Sequence, residues 1–492
     1  MSNSEIIKHK ATRSIKWSVL NEIVSRTFQP VVFLILARLL SPNDFGLASA
    51  ATIVINFSQL FWDAGLGKAL IQTKEDPELA ANVVFWMNVA LGLTIYLILF
   101  ITAPLIALFF HSPGFEPVLR VVGLQIIIQS LSSVQQALLM RDMGFRRLFN
   151  VRLVTALVPG LFSIPIALAG FGVWALVVGT LAGSIANLVM LWSRSTWRPK
   201  LGLDQKLAKR LFRFGFWVVG ESFVAWFMNW GDNLIVGHFF GTIALGVYAV
   251  AWNICNLIYG LLLNPILPVL YPTFSRLQDD RKALQAAFQR ANKIIISLSL
   301  PIGVGLFLLA PQAVAIFFGD KWPGLGLVLR LIGILLGISW MVSVNPEVLR
   351  SIGRPDINTK LIIFFFLFYF PAFLIAAQFD LVVFSYTRLA VSLVTIPSHV
   401  FVAVRFLNLS PLYLWRYSKS AVLSILFMVG SVVLTQWLLG TVCDHFLPIS
   451  SLVIVILIGG VVYFWAYYFF DRDFVNQTIN LVRQGIKKEL TE

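Results

Sequence analysis

From about residue 15 to residue 470 the chain repeats one pattern: a long apolar run, a short polar connection, then another apolar run. A helix that crosses a bilayer needs about 20 mostly apolar residues. Fourteen stretches meet that need, near 15–40, 44–71, 80–109, 117–140, 151–169, 172–193, 212–240, 242–273, 285–318, 325–349, 358–378, 380–404, 418–440 and 448–470. Lipid offers the backbone no hydrogen-bond partners, so only helices and closed barrels span it, and these runs are too long and unbroken for barrel strands. The pattern predicts an all-α polytopic membrane protein with about 14 transmembrane helices and no soluble domain. The first run follows basic residues, as in a signal peptide, but it is too long and lacks a small-residue cleavage pattern, so it is expected to remain as the first helix.

The pattern also copies itself. At an offset of 200, Leu36–Gly46 (LARLLSPNDFG) lies over Val236–Gly246 (VGHFFGTIALG), and Trp17 over Trp217. Further on the offset drifts to 207–210: Ala103–Phe110 matches Ala310–Phe318, Leu119–Gly123 (LRVVG) matches Leu329–Gly333 (LRLIG), and Met140–Gly144 matches Leu349–Gly353. Helices 1–6 and 7–12 are therefore expected to be copies of one unit. Six is even, so the second copy starts on the same side of the membrane and the repeats are parallel, enclosing a cleft about an axis along the membrane normal. The expected domains are an N-terminal lobe over 1–205, a C-terminal lobe over 206–410, and peripheral helices 13 and 14 with a tail over 411–492.

Polar residues interrupt the apolar pattern at helical spacing. Helix 1 carries Glu22, Arg26 and Gln29; helix 2 carries Thr52, Asn56, Gln59 and Asp63; helix 4 carries Gln125, Gln129, Ser132 and Gln136. Helix 7 carries Glu221 and Asp232, helix 8 carries Asn253, Asn256 and Asn264, and helix 12 carries Arg388, Ser392, Thr395 and His399. A charge at mid-bilayer costs about 2.5–3.5 kcal/mol on insertion scales, so each is expected to face protein or water. The bland reading of the amides and hydroxyls is interhelical glue. The sharper one makes Arg26, Gln29, Asn56, Gln59, Gln125, Gln129, Asn253, Asn256 and Arg388 candidates for a substrate cleft, and Glu22, Asp63, Glu221 and Asp232 candidates for coupling to a proton or sodium ion. Arg120 and Arg330 occupy equivalent places near the outer ends of helices 4 and 10, where snorkelling or ligand contact would each explain them. Pro30, Pro265, Pro268, Pro346 and Pro397 fall in the same helices as bending points.

A net charge of +15 raises nucleic acid as a partner, but the placement of the charge removes it. All but six of the 38 basic residues fall on alternate connections, on the side of the amino terminus; the six are Arg26, Arg38, Arg120, Lys321, Arg330 and Arg388. That asymmetry predicts cytoplasmic termini and contact with anionic lipid. Cys255 lies in a span and Cys443 in a short outer loop, which excludes a disulfide framework. Walker motifs, metal-ligating clusters and glycine-rich phosphate loops are absent. No outer loop exceeds about ten residues, which leaves a glycan polymerase no place to hold its acceptor. The expectation is a transporter without cofactor or metal, run by an ion gradient or by its substrate's own.

Ala37–Gln72 (ARLLSPNDFGLASAATIVINFSQLFWDAGLGKALIQ), Val83–Gly92, Phe212–Val218, Asn264–Asp280 (NPILPVLYPTFSRLQDD) and Phe317–Gly333 (FFGDKWPGLGLVLRLIG) resemble the Wzx-type polysaccharide repeat-unit flippases. The likeness is to the colanic-acid exporter branch of the multidrug, oligosaccharidyl-lipid and polysaccharide exporter superfamily. The resemblance implies a V-shaped pair of six-helix lobes that opens alternately to each side of the bacterial inner membrane. Its implied cargo is an undecaprenyl-pyrophosphate-linked oligosaccharide bound for exopolysaccharide or lipopolysaccharide, with a polymerase and export machinery as further partners. It supplies no invariant catalytic residue. An ion-coupled drug antiporter on the same scaffold and a membrane glycan polymerase or ligase are the alternatives.

Overall fold

The computed structural model describes residues 28–62, 66–72, 76–142, 145–200, 204–442 and 448–480, and among them every regular element is helical. The chain divides into two compact units, Met1–Ala249 and Val250–Glu492.

The first unit begins with α1 (Phe28–Leu39). It continues through α2 (Pro42–Trp62), α3 (Leu66–Gln72), α4 (Pro77–Phe109), α5 (Phe115–Ser130), α6 (Ser133–Arg141), α7 (Phe145–Leu168) and α8 (Val173–Arg194). The long α9 (Gln205–Leu263) carries the chain on into the second unit. Its apolar part, Ser222–Leu263, is 42 residues, about 63 Å at 1.5 Å per residue and twice a bilayer's hydrocarbon thickness. Gly241, at φ 78° and ψ −178°, breaks it at the residue where the sequence pattern separates two spans. The two halves are tied across the break, where the Tyr248 hydroxyl donates to Asp232 at 2.7 Å.

Helix starts follow local chemistry. Ser41 and Asp44 cap each other's backbone at the head of α2, with Ser41 N to Asp44 Oδ2 at 2.9 Å and Asp44 N to Ser41 Oγ at 3.3 Å. Asp76 accepts from Glu78 N ahead of α4, which has proline in its first turn. The 195–200 connection lies along the start of α4, where Lys200 donates to Glu78 at 2.6 Å; that bond holds the ammonium above its usual pKa.

The second unit holds α10 (Leu267–Arg276), α11 (Arg281–Phe317), α12 (Leu325–Trp340), α13 (Asn345–Ser351), α14 (Pro355–Ala376), α15 (Leu381–Leu407), α16 (Tyr413–Val442) and α17 (Pro448–Phe470). Tyr259 locks its centre, donating to Gly333 O at 2.9 Å and to Ser299 O at 3.2 Å. Gly303 and Gly337 make room, since a Cβ on either would lie within 3.0 Å of the Tyr259 hydroxyl. As predicted, α16 and α17 are peripheral: they pack on each other and on α11, and present Phe427, Leu434, Trp437, Trp465 and Phe469 outward as a lipid-facing surface.

The internal repeat is built into the elements. The starts of α5 and α12, the ends of α5 and α12, and the ends of α6 and α13 are each 210 residues apart. The stretches aligned at offset 200 meet in space. A Cβ on Gly46 would lie 1.7 Å from Thr242 O, and one on Gly246 would lie 1.9 Å from Pro42 O, so equivalent residues exchange equivalent contacts. Thr242 Oγ1 donates to Asn43 Oδ1 at 2.6 Å beside this crossing.

Twelve described helical stretches are long and apolar enough to span. Dividing Ser222–Leu263 at Gly241 and counting α1, whose predicted start lies outside the described residues, brings the total to the expected fourteen. Three spans read as continuous are broken instead: helix 4 into α5 and α6, helix 8 into the end of α9 and α10, and helix 10 into α12 and α13. Pro265, Pro268 and Pro346 sit at two of these breaks, where they end one helix or begin the next. At the α5–α6 break Trp192 Nε1 donates to Leu131 O at 2.9 Å, while Ser130 and Ser132 donate to Ile127 O at 2.8 Å and Gln129 O at 3.0 Å alongside the backbone N–H groups of Leu131 and Ser132.

Candidate functional site

Helices α2, α5 and α8 pack pairwise in the first unit. Thr52, Asn56 and Gln59 follow one another along α2 at i, i+4 and i+7, and Gln125 and Gln129 along α5 at i and i+4, so each set shares a face. Both faces line the same space. A cavity of about 240 Å³ bordered by Thr52, Asn56, Gln59, Gln125, Gln129 and Thr180 adjoins one of about 690 Å³. The two share Gln59, Gln125, Gln129 and Thr180. The larger one adds Ser132, Ser133 and Gln136 from the α5–α6 break, Thr155 from α7, and Ser184 and Asn187 from α8. Breaking helix 4 thus turns its serines and Gln136 toward the same groove.

The fourth wall depends on close approach. A Cβ on Gly179 would lie 1.8 Å from Ser163 Oγ and one on Gly183 2.8 Å from Pro159, so α8 lies against α7 through two small residues one turn apart. With those glycines turned to α7, Thr180, Ser184 and Asn187 line the groove. No described residue in either lining is ionisable. Several hydroxyls are partly used within their own helices: Thr52 donates to Ala48 O, Thr180 to Leu176 O and Ser184 to Thr180 O. Their lone pairs remain as acceptors, and the glutamine amides both donate and accept. The groove offers dense, uncharged hydrogen bonding beside apolar surface from Trp62, Ile71 and Met140.

In the second unit, Arg388 lies on α15 with its guanidinium carbon 4.3 Å from the Trp252 ring centre. Asn253 and Asn256 are exposed on the same helix as that tryptophan, and Asn256 donates to Trp252 O at 2.9 Å. The rest of the helix 12 stripe turns inward: Ser392 donates to Leu389 O, and His399 is buried beside Phe365 while its carbonyl accepts from Asn345 at 2.9 Å.

Among the other candidates, Gln29 is exposed on α1. Asp232 lies away from the groove, buried between the Tyr248 hydroxyl and Asn233 Nδ2 at 3.0 Å. Glu22, Arg26 and Asp63 lie outside the described residues, as does the Glu221 side chain, although its backbone belongs to α9. Thr155, Thr180, Ser184 and Asn187 are lining residues that the polar stripes of the sequence did not bring forward. Their signal was there: Thr180, Ser184 and Asn187 repeat the i, i+4, i+7 spacing of α2.

A family described as polysaccharide biosynthesis protein matches residues 35–326, which contain the whole groove. The chain belongs to this family. Similar curated members include the succinoglycan biosynthesis transport protein ExoT of Rhizobium meliloti (strain 1021), 28% identical over 70% of this chain and 69% of its own length. Another is the lipopolysaccharide biosynthesis protein WzxC of Escherichia coli (strain K12), 25% identical over 76% of each chain. Among solved structures, the lipid II flippase MurJ in an inward closed conformation shares the fold with a TM-score of 0.76 at 16% identity, covering 94% of this chain and all of that one. An inward-facing MATE-family multidrug transporter of the MOP superfamily follows at 0.57 and 16%, over 78% of this chain and 95% of that one. The family's fold is thus that of membrane transporters, multi-pass and all-helical.

Proposed function

We propose that this protein carries a lipid-linked oligosaccharide across the bacterial inner membrane, taking its sugars through the amide-lined groove of the first unit. The groove is the observation that carries the reading. Sugar hydroxyls donate and accept at closely spaced points, and a wall of glutamine, asparagine, serine and threonine replaces their hydration without a fixed charge. At about 690 Å³ its main chamber falls in the range of small-molecule sites. The cargo we favour is an undecaprenyl pyrophosphate glycan, with Arg388, and Arg26 beyond the described residues, as cations for its diphosphate. Its prenyl chain stays in lipid while the protein opens to each side in turn, with both termini cytoplasmic and a proton or sodium gradient as the drive. The roles of the relatives, succinoglycan biosynthesis transport and lipopolysaccharide biosynthesis, support a polysaccharide cargo. Nothing in this reading calls for catalysis. A cationic drug would call for carboxylates in the chamber, and the described lining has none.

The test is translocation of a fluorescent undecaprenyl-pyrophosphate oligosaccharide in proteoliposomes. Replacing both Gln125 and Gln129 with alanine should slow flipping about tenfold or more, as expected from the loss of two hydrogen bonds of about 1 kcal/mol each, with membrane levels of the protein unchanged. Wild-type flipping by the double variant would reject the groove as the sugar path.

A further inference from the structure

At the heads of α5 and α12 the two repeats carry the same segment 210 residues apart: Pro113-Gly114-Phe115-Glu116 leading to Leu119-Arg120, and Pro323-Gly324-Leu325-Gly326 leading to Leu329-Arg330. Each arginine lies over a phenylalanine of the preceding long helix. Arg120 Cζ is 4.6 Å from the Phe100 ring centre, and Arg330 Cζ is 5.7 Å from that of Phe307. Both rings are 41% exposed on apolar helix faces, so both guanidinium groups stand at the lipid-facing surface near a helix end.

There the likeness stops. Arg120 is neutralised by Glu116 one turn earlier, at 2.8 Å, and its Nε donates to Phe100 O at 3.4 Å. Arg330 has Gly326 in place of that glutamate, and the reason is steric: a Cβ at 326 would sit 3.2 Å from Pro311 Cα. Its Nε is buried without a partner, and no described carboxylate pairs with it. A charge at the lipid boundary is costly until something neutralises it. The fork of a guanidinium fits two oxygens of one phosphate. Lys321, exposed in the connection before α12, adds a second cation at the same helix end.

We infer that Arg330 is the core of a phosphate site for an anionic membrane lipid, open on the second repeat and closed on the first by Glu116.

Nanodiscs of phosphatidylcholine with a minor fraction of phosphatidylglycerol, followed by native mass spectrometry of the released protein, test it. Wild type should retain phosphatidylglycerol in preference. Arg330→Gln should lower that preference about tenfold, the scale of one charge-assisted contact, whereas Arg120→Gln should leave it unchanged. Leu327→Glu, which keeps Arg330 but gives it a carboxylate at i−3, should also lower it, and so separates loss of the site from loss of the fold. Unchanged retention in both Arg330→Gln and Leu327→Glu would overturn the inference, as would an equal loss in Arg120→Gln. Displacement of the lipid by millimolar inorganic pyrophosphate would overturn the lipid assignment in favour of a free diphosphate.

Discussion

Gln59, Gln125 and Gln129 are amides that donate and accept in the same place, and their worth lies in being uncharged. Gln59→Glu would put a carboxylate where the two cavities join. It should slow flipping of the lipid-linked oligosaccharide, and at acid pH, where the carboxyl is neutral, transport should recover; a pH profile matching wild type would refute this. Asp232 illustrates a different economy. Asp232→Ala removes the bond from the buried Tyr248 hydroxyl and should destabilise the protein by about 2 kcal/mol, read as a lower thermal transition in detergent. If Asp232 also couples an ion, Asp232→Asn, which keeps an acceptor for Tyr248, should fold normally and lose gradient dependence. The stripes on α2 and α5 were legible because long amides stand out in an apolar run. Thr180 and Ser184 were not, because a hydroxyl that donates to its own helix looks like ordinary packing until the opposite wall is known. His399 shows the reverse error: it shares the stripe of Arg388, yet it faces the aromatic interior of its own unit.

Helices in this molecule are shaped by where they stop. The division at Gly241 was visible in the sequence because an unbroken helix would have been too long for any bilayer. The breaks inside helices 4, 8 and 10 were not, since hydrophobicity continues across them and a buried run gives no period to interrupt. Only Pro265, Pro268 and Pro346 marked two of the three. Close approach between elements makes the sharpest mutational prediction. Gly46→Ala or Gly246→Ala must force α2 and the second half of α9 apart and should cost about 3 kcal/mol. Gly430→Ala, which meets nothing within 4 Å, should stay within about 0.5 kcal/mol of wild type in the same thermal assay.

For the whole molecule, sequence repetition and apolar length were enough to reach the fold: about fourteen helices, a repeated set of elements and a peripheral pair. What they could not reach was the groove, because a cavity is defined by four helices at once and a sequence reads one helix at a time. Energy coupling belongs at this scale too. Glu221→Gln should weaken the response of transport to an imposed proton or sodium gradient in proteoliposomes, and an unaltered response would remove that residue as a coupling site. The contacts of Pro42 O with Gly246 and of Thr242 O with Gly46 are reciprocal. A surface that greets its own duplicate residue for residue is isologous, the geometry of a two-fold homodimer. A change at one of these glycines is therefore felt twice over, because each sits where its counterpart's helix makes the same demand for a missing side chain.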